Sequence, residues 1–139
     1  MVERRYVDVN VFVYWLSAHP IFGESARRWV NEIEKAKAGE YITSTLTIYE
    51  TLVILAGLTG RSLKDEGYVG VVMEAITGLS KLAIEPLTLD DIVRAAEHMK
   101  TYNLDYEDAL HLAVALRSGA SKIISNDRDF DKTPLKRIF

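Results

Sequence analysis

The sequence predicts an α/β protein with a mainly parallel central sheet flanked by helices. Short runs rich in β-branched and aromatic residues recur at Arg5–Tyr14, Glu40–Ser44, Leu82–Leu87 and Lys122–Ser125. Between them lie stretches of helical length and period. The resulting order is strand, helix, strand, two helices, strand, two helices, strand. Helical crossovers between strands impose parallel neighbours. With 139 residues and no internal repeat, linker or low-complexity tract, residues 1–139 are expected to form one domain with a real core.

The first strand is expected over Arg5–Tyr14, RYVDVNVFVY. Asp8 and Asn10 fall inside it or just after it, on one side while the chain stays extended. A buried, unpaired carboxylate is costly, so Asp8 needs either a compensating partner or another task. The alternative is a cap, with Asp8 or Asn10 starting a helix through Val13 to Ser17. Phe22–Ala38 is amphipathic, with Ala26, Trp29, Val30 and Ile33 on one face, and Gly39 ends it. After the strand Glu40–Ser44, Ser44 or Thr45 caps a helix over Thr47–Leu58. Glu50 is expected in its first turn, where a carboxylate gains about 0.3–1 kcal/mol from the helix macrodipole. Gly57–Gly60 turns into a second helix, Leu63–Leu79. This pair carries more apolar residues than one core face needs, so a homodimer is expected to use part of it.

Beyond the strand at Leu82–Leu87, Thr88 caps a helix that has Asp90 and Asp91 in its first turn and runs to about Tyr102. Asp105 is a good N-cap for the last helix, and Asp108 stands three positions later, facing the free N–H groups. Ala109–Leu116 is almost wholly apolar, so this helix should be buried on most sides. Gly119 ends it. His98 and His111 read as satisfied packing residues rather than ligands. Lys122–Ser125 is a short buried strand that opens into Asn126-Asp127-Arg128-Asp129. A polar loop follows Phe130, with an edge strand at Leu135–Phe139.

Composition excludes several classes. No apolar run approaches about 18 residues, so no membrane span is expected. Val7–Leu16 is broken by Asp8 and Asn10, so no secretory signal is expected either. The lack of cysteine removes disulfides and thiolate metal sites, and fits a cytoplasmic location. Three histidines are too few for a multi-histidine zinc centre. Any metal must be held mainly by carboxylate oxygens, which favours Mg²⁺ or Mn²⁺. A net charge of −3 gives no global attraction to nucleic acid.

Four acids in apolar surroundings remain: Asp8, Glu50, Asp108 and Asp127. Each falls where a parallel sheet gathers the carboxyl ends of its strands. Four converging carboxylates repel one another and raise their own pKa values. One or two divalent cations would neutralise them, and two such ions about 3.5–4 Å apart can activate water and stabilise a leaving phosphodiester oxygen.

The segments YVDVNVFVY, STLTIYE, LDYEDALHLAVALRSGA and IISNDRDF resemble the four signature segments of PIN-domain nucleases, especially the VapC-type toxins. The resemblance runs through essentially the whole chain in the right order. It implies a three-layer α/β/α fold and Mg²⁺- or Mn²⁺-dependent cleavage of RNA by a toxin paired with a cognate antitoxin. It implies site acids at Asp8, Glu50, Asp108 and Asp127, supported by Asn10 and Ser125. It further implies that the antitoxin blocks the acids with an arginine or lysine. Two features depart from the pattern. Asp129 is placed to share or replace the role of Asp127, and Asp105 and Glu107 add charge beside Asp108. Arg4, Arg128 and Lys132 are the basic residues nearest the motifs. Rival readings are an RNA-processing nuclease of the same family and a catalytically silent RNA- or protein-binding module. A haloacid-dehalogenase-type phosphohydrolase is disfavoured, because that family needs a second aspartate where this chain has Asn10.

Overall fold

Strand β1 is shorter than its composition implies. The computed structural model describes residues 3–139, and in it β1 (Arg4–Val7) ends one residue before Asp8. Helix α1 (Val9–Leu16) follows at once, capped by Asp8. The strand expected over Arg5–Tyr14 is therefore four residues of strand and two turns of helix. Val11, Phe12 and Val13 are buried within α1, so the run of valines and aromatics reported burial rather than extension.

Helix α2 (Gly23–Lys35) leads to β2 (Tyr41–Ser44). Helices α3 (Thr45–Thr59) and α4 (Glu66–Thr77) lead to β3 (Leu82–Glu85), and α5 (Leu89–Tyr102) and α6 (Tyr106–Arg117) to β4 (Ala120–Ile124). The first crossover thus holds a helix pair, like the other two, where the sequence had implied one helix. A 3₁₀ turn over Arg128–Lys132 precedes β5 (Lys136–Ile138) and replaces the start of the expected loop. It forms because Asp127 caps it and Phe130 is buried beneath it.

Among the described residues the sheet has five strands in the order β3-β2-β1-β4-β5, all parallel. The chain winds outward from central β1 to β2 and β3, then returns to the other side of β1 with β4 and β5. The order reverses between β1 and β4. In an open α/β sheet a crevice forms at the carboxyl ends at that point.

Period-two alternation distributes the core. Tyr6, Ile42 and Ile123 face Ala95 of α5 and Leu112 and Ala115 of α6. Their neighbours Val7, Tyr41 and Ile124 face Phe12 of α1, Val30 and Ile33 of α2, and Ile76 of α4. The sheet is therefore the middle of three layers, α/β/α. Helix α3 packs on α1 and α4 through Leu52 and Leu55 against Val13 and Val72.

The α5–α6 pair is stapled by one ion pair. Asp91 completes a capping box with Thr88 and accepts two bonds from Arg117, at 2.8 and 3.0 Å. Among the described residues no helix is long and apolar enough to cross a membrane.

Candidate metal centre

Asp8 leaves β1 beside the place where β4 ends, and its backbone N–H still bonds the Ile124 carbonyl. Its two carboxylate oxygens have different tasks. Oδ1 accepts from the Val9 N–H at 2.8 Å and so caps α1. Oδ2 accepts from the Ser125 hydroxyl at 2.6 Å and from the Asn10 amide at 3.2 Å. Asn10 also donates to Ser125 at 3.2 Å. Asp8, Asn10 and Ser125 thus form one hydrogen-bonded group across the switch point, although Asn10 is on a helix and not on an extended strand.

Glu50 is not in the first turn of α3. That helix starts at Thr45, after the Ser44 cap, and places Glu50 a turn and a half in. The macrodipole argument therefore does not apply to it. Glu50 is instead buried and accepts from His111 Nε2 at 2.5 Å. His111 was expected to be a satisfied packing residue. It is buried and satisfied, but half of that satisfaction comes from an acid of the cluster.

On α6 the cap is Asp105, whose Oδ1 accepts from the Asp108 N–H at 2.8 Å. Among the described residues the Asp108 carboxylate accepts no hydrogen bond, so it is left facing the cleft. Asp127 caps the 3₁₀ turn by accepting from the Asp129 N–H at 2.9 Å, and its own N–H donates to Ser125 at 3.0 Å. Asp129 forms an exposed ion pair with Lys132 at 3.4 Å.

Asp8, Asn10, Glu50, Asp105, Glu107, Asp108, His111, Asp127 and Asp129 line one cleft of about 240 Å³. Ser125 is buried behind it. The tightest group is Asp108, Asp127 and Asp129, each offering a carboxylate oxygen within 4.8 Å of the others. That donor set is all hard oxygen and therefore fits Mg²⁺ or Mn²⁺. Asp129, expected to share or replace the role of Asp127, stands beside it in this group.

The electrostatics agree with a site built for positive charge. Burial, reinforced by Asp127, Asp105 and Asp8, pushes the Asp108 carboxyl up to about 8. A hydrogen bond shared with Glu50, together with burial, pushes Glu107 up to about 7. Burial also raises Asp8, against the pull of His111, Ser125 and the Val9 N–H. Burial acts against charge on Glu50 too, but His111 and the Glu107 carboxyl hold it below the usual glutamate value. Burial opposes charge on His111; the Tyr6 oxygen, Glu50 and Asp8 outweigh it and carry the imidazole well above the ordinary histidine range. His111 is thus a buried cation that offsets part of the carboxylate repulsion. The signal for it in the sequence is the single polar residue within the otherwise apolar stretch Ala109–Leu116 of α6, one turn beyond Asp108.

These features define a parallel α/β/α protein with an acid-lined cleft at the switch point of its sheet. The PIN domain family matches residues 5–136, and the chain belongs to that family. Its structure is similar to VapC20 of Mycobacterium tuberculosis, a sarcin–ricin loop cleaving toxin, with a TM-score of 0.73 and 20% identity over 91% of this chain and 92% of that one. It is also similar to VapBC2 of Rickettsia felis bound to promoter DNA, with a TM-score of 0.67 and 18% identity over 96% of both chains. A toxin–antitoxin complex from Klebsiella pneumoniae gives 0.64 and 20% identity over 95% and 98%. No curated protein matches the sequence.

Proposed function

We propose that this chain is a cytoplasmic, divalent-metal-dependent endoribonuclease and the toxin of a toxin–antitoxin pair. The observation that carries the reading is the Asp108–Asp127–Asp129 group at the β1/β4 switch point, with Asp108 pushed up to about 8. A cleft that holds protons so tightly will also favour a divalent cation, which removes the same repulsion.

Asp108 and Asp127 would hold Mg²⁺ or Mn²⁺, with Asp129 adjacent and Asp8 and Glu50 completing the acidic wall. Such an ion supplies Lewis-acid charge to a phosphodiester and lowers the pKa of water. The chain's own residues supply position. Ser125 and Asn10 fix the inner oxygen of Asp8, and Asp105 frees Asp108 from capping duty. The antitoxin role is supported by the similarity to chains solved in toxin–antitoxin complexes. A basic side chain from such a partner would find in this cleft the charge that a cation would otherwise supply.

The test is RNA cleavage by Asp8→Asn in Mn²⁺. Loss of cleavage in a folded variant is the expected result. Cleavage at the wild-type rate, in a preparation freed of contaminating nuclease, refutes the assignment. A silent binding module would show no cleavage in the parent chain either.

A further inference from the structure

Behind the acids lies a second row of polar groups. Tyr6 stands two residues before Asp8 on β1, and His111 one turn past Asp108 on α6. Thr47 stands one turn before Glu50 on α3. They meet beneath the cleft. The Tyr6 hydroxyl is 2.7 Å from His111 Nδ1, 2.8 Å from Ser44 Oγ and 3.4 Å from Thr47 Oγ1. On the other side of the imidazole, Nε2 meets Glu50 Oε1 at 2.5 Å. Tyr6, His111, Ser44 and Thr47 are all buried. Glu50, which also shares a hydrogen bond with Glu107, is therefore the cleft-side member of a hydrogen-bonded chain that runs through four elements.

The roles within this chain are set by its ends. A carboxylate can only accept, so Nε2 carries the hydrogen toward Glu50. The Tyr6 hydroxyl serves Nδ1 whether it gives a hydrogen or receives one. Tyr6 thereby holds the ring in the one orientation that points Nε2 at Glu50. Glutamate has three rotatable bonds, and fixing one of its oxygens leaves the other preset toward the cleft.

We propose that His111, held by Tyr6, is the positioning residue that fixes Glu50 for metal binding. The proposal rests on the reading of Glu50 as part of the metal centre. An outer-layer partner of this type changes metal affinity when removed, commonly by about 10–100-fold.

The experiment is calorimetric titration of the full chain with Mn²⁺, with RNA cleavage kinetics alongside. His111→Leu deletes the donor, His111→Gln keeps an N–H at similar reach, and Tyr6→Phe removes a single oxygen. The expected result is a loss of Mn²⁺ affinity of about 10–100-fold in His111→Leu. His111→Gln should recover part of it, and Tyr6→Phe should fall between. KM for RNA should stay near wild type while kcat drops. Added to Glu50→Gln, His111→Leu should weaken Mn²⁺ binding no further. Lower melting temperatures with unchanged Mn²⁺ affinity in all three variants would overturn the proposal. If His111→Leu does not fold, Tyr6→Phe decides alone. If Glu50→Gln weakens Mn²⁺ binding and the network variants do not, positioning is refuted and the metal centre stands. If Glu50→Gln itself leaves Mn²⁺ binding intact, Glu50 is no ligand: its place in the metal centre and the positioning role of His111 both fall, while the Asp108–Asp127–Asp129 group is judged by its own variants.

Discussion

Asp108→Asn is the sharpest probe of the centre, because the structure removes its simplest alternative role. Asp105, not Asp108, caps α6, so the substitution deletes a charge without deleting a cap. Folding lifts the Asp108 carboxyl from an ordinary value of 3.8 to about 8. An acid whose pKa rises on folding binds its proton more tightly in the native state. Its contribution to stability is therefore present at low pH, declines as pH rises through that window, and is lost above about 8. At about 1.4 kcal/mol per pH unit the full difference would approach 6 kcal/mol, an upper bound. Asp108 is partly open to solvent, which screens the repulsion, so about 2 kcal/mol is the working figure. From this, less a few tenths for the lost favourable position in the first turn of α6, follows a melting shift of about 5 °C.

The assay is thermal melting at pH 5.5 and 8.5, in chelator and in millimolar Mn²⁺. In chelator at pH 8.5, Asp108→Asn should melt about 5 °C above wild type, and the gap should narrow at pH 5.5 and close only as pH approaches 3.8. In Mn²⁺ at pH 8.5 the order should reverse, since wild type gains about 2.7 kcal/mol when the ion is at a hundred times its dissociation constant. A variant that is destabilised by the same amount in all four conditions would refute the reasoning and return Asp108 to a purely structural role.

Three further outcomes follow from other parts of the molecule. Mn²⁺ should raise the wild-type melting temperature at lower concentration than Mg²⁺, as the harder dehydration of Mg²⁺ requires; equal midpoints in a thermal-shift titration would count against a carboxylate site. Arg117→Met should destabilise by about 2–4 kcal/mol near neutral pH, because it strands buried Asp91. Burial opposes the Asp91 charge, but Arg117 and the Thr88 N–H hold its pKa below 3.8. That stability is thus present above the ordinary value and lost as pH falls through the lowered one, so wild type and variant should converge in urea melts as pH falls below 3.8. Leu58 and Val71 are 65% and 69% exposed on α3 and α4, so light scattering should give a dimer at micromolar concentration that Leu58→Asp or Val71→Asp dissociates.

The succession of strands, the sheet class and the segments that bring acids to the cleft were legible because each rests on local pattern. The Asp105 cap and the Gly119 stop lie within a few residues of what they control. The errors arose where the same residues suit two structures. Val9 to Tyr14 has strand composition, and only the capping geometry of Asp8 makes it helical. A first-turn position for Glu50 follows from a helix start at Thr47, and the helix starts two residues earlier, at Thr45 behind the Ser44 cap. The partnership of Glu50 with His111 joins residues 61 positions apart. No periodicity in either helix encodes it, since it depends on how α3 and α6 meet over Tyr6.

The sequence posed capping and metal binding as rival roles for Asp8, but the geometry makes them compatible. A strand that ends directly at a helix start puts the capping residue at the sheet's carboxyl edge, which is also where a site forms. Asp8 divides the work between Oδ1, which caps α1, and Oδ2, which faces Ser125 and Asn10. Asp127 likewise caps the 3₁₀ turn through Oδ1 while lining the same cleft. Cap and charge should therefore separate by substitution. Asn keeps a capping oxygen and removes the charge, whereas Ala removes both. Asp8→Ala should lose about 0.5–2 kcal/mol relative to Asp8→Asn, and both should lose RNA cleavage. Because burial raises the Asp8 carboxyl, its charged form is a burden to the fold at neutral pH, and Asp8→Asn in chelator should melt no lower than wild type. Urea unfolding of the three proteins in chelator, with cleavage measured on the same samples, decides the matter. Intact cleavage in both variants, with stability lost only in Asp8→Ala, would mean that Asp8 is a cap and nothing more.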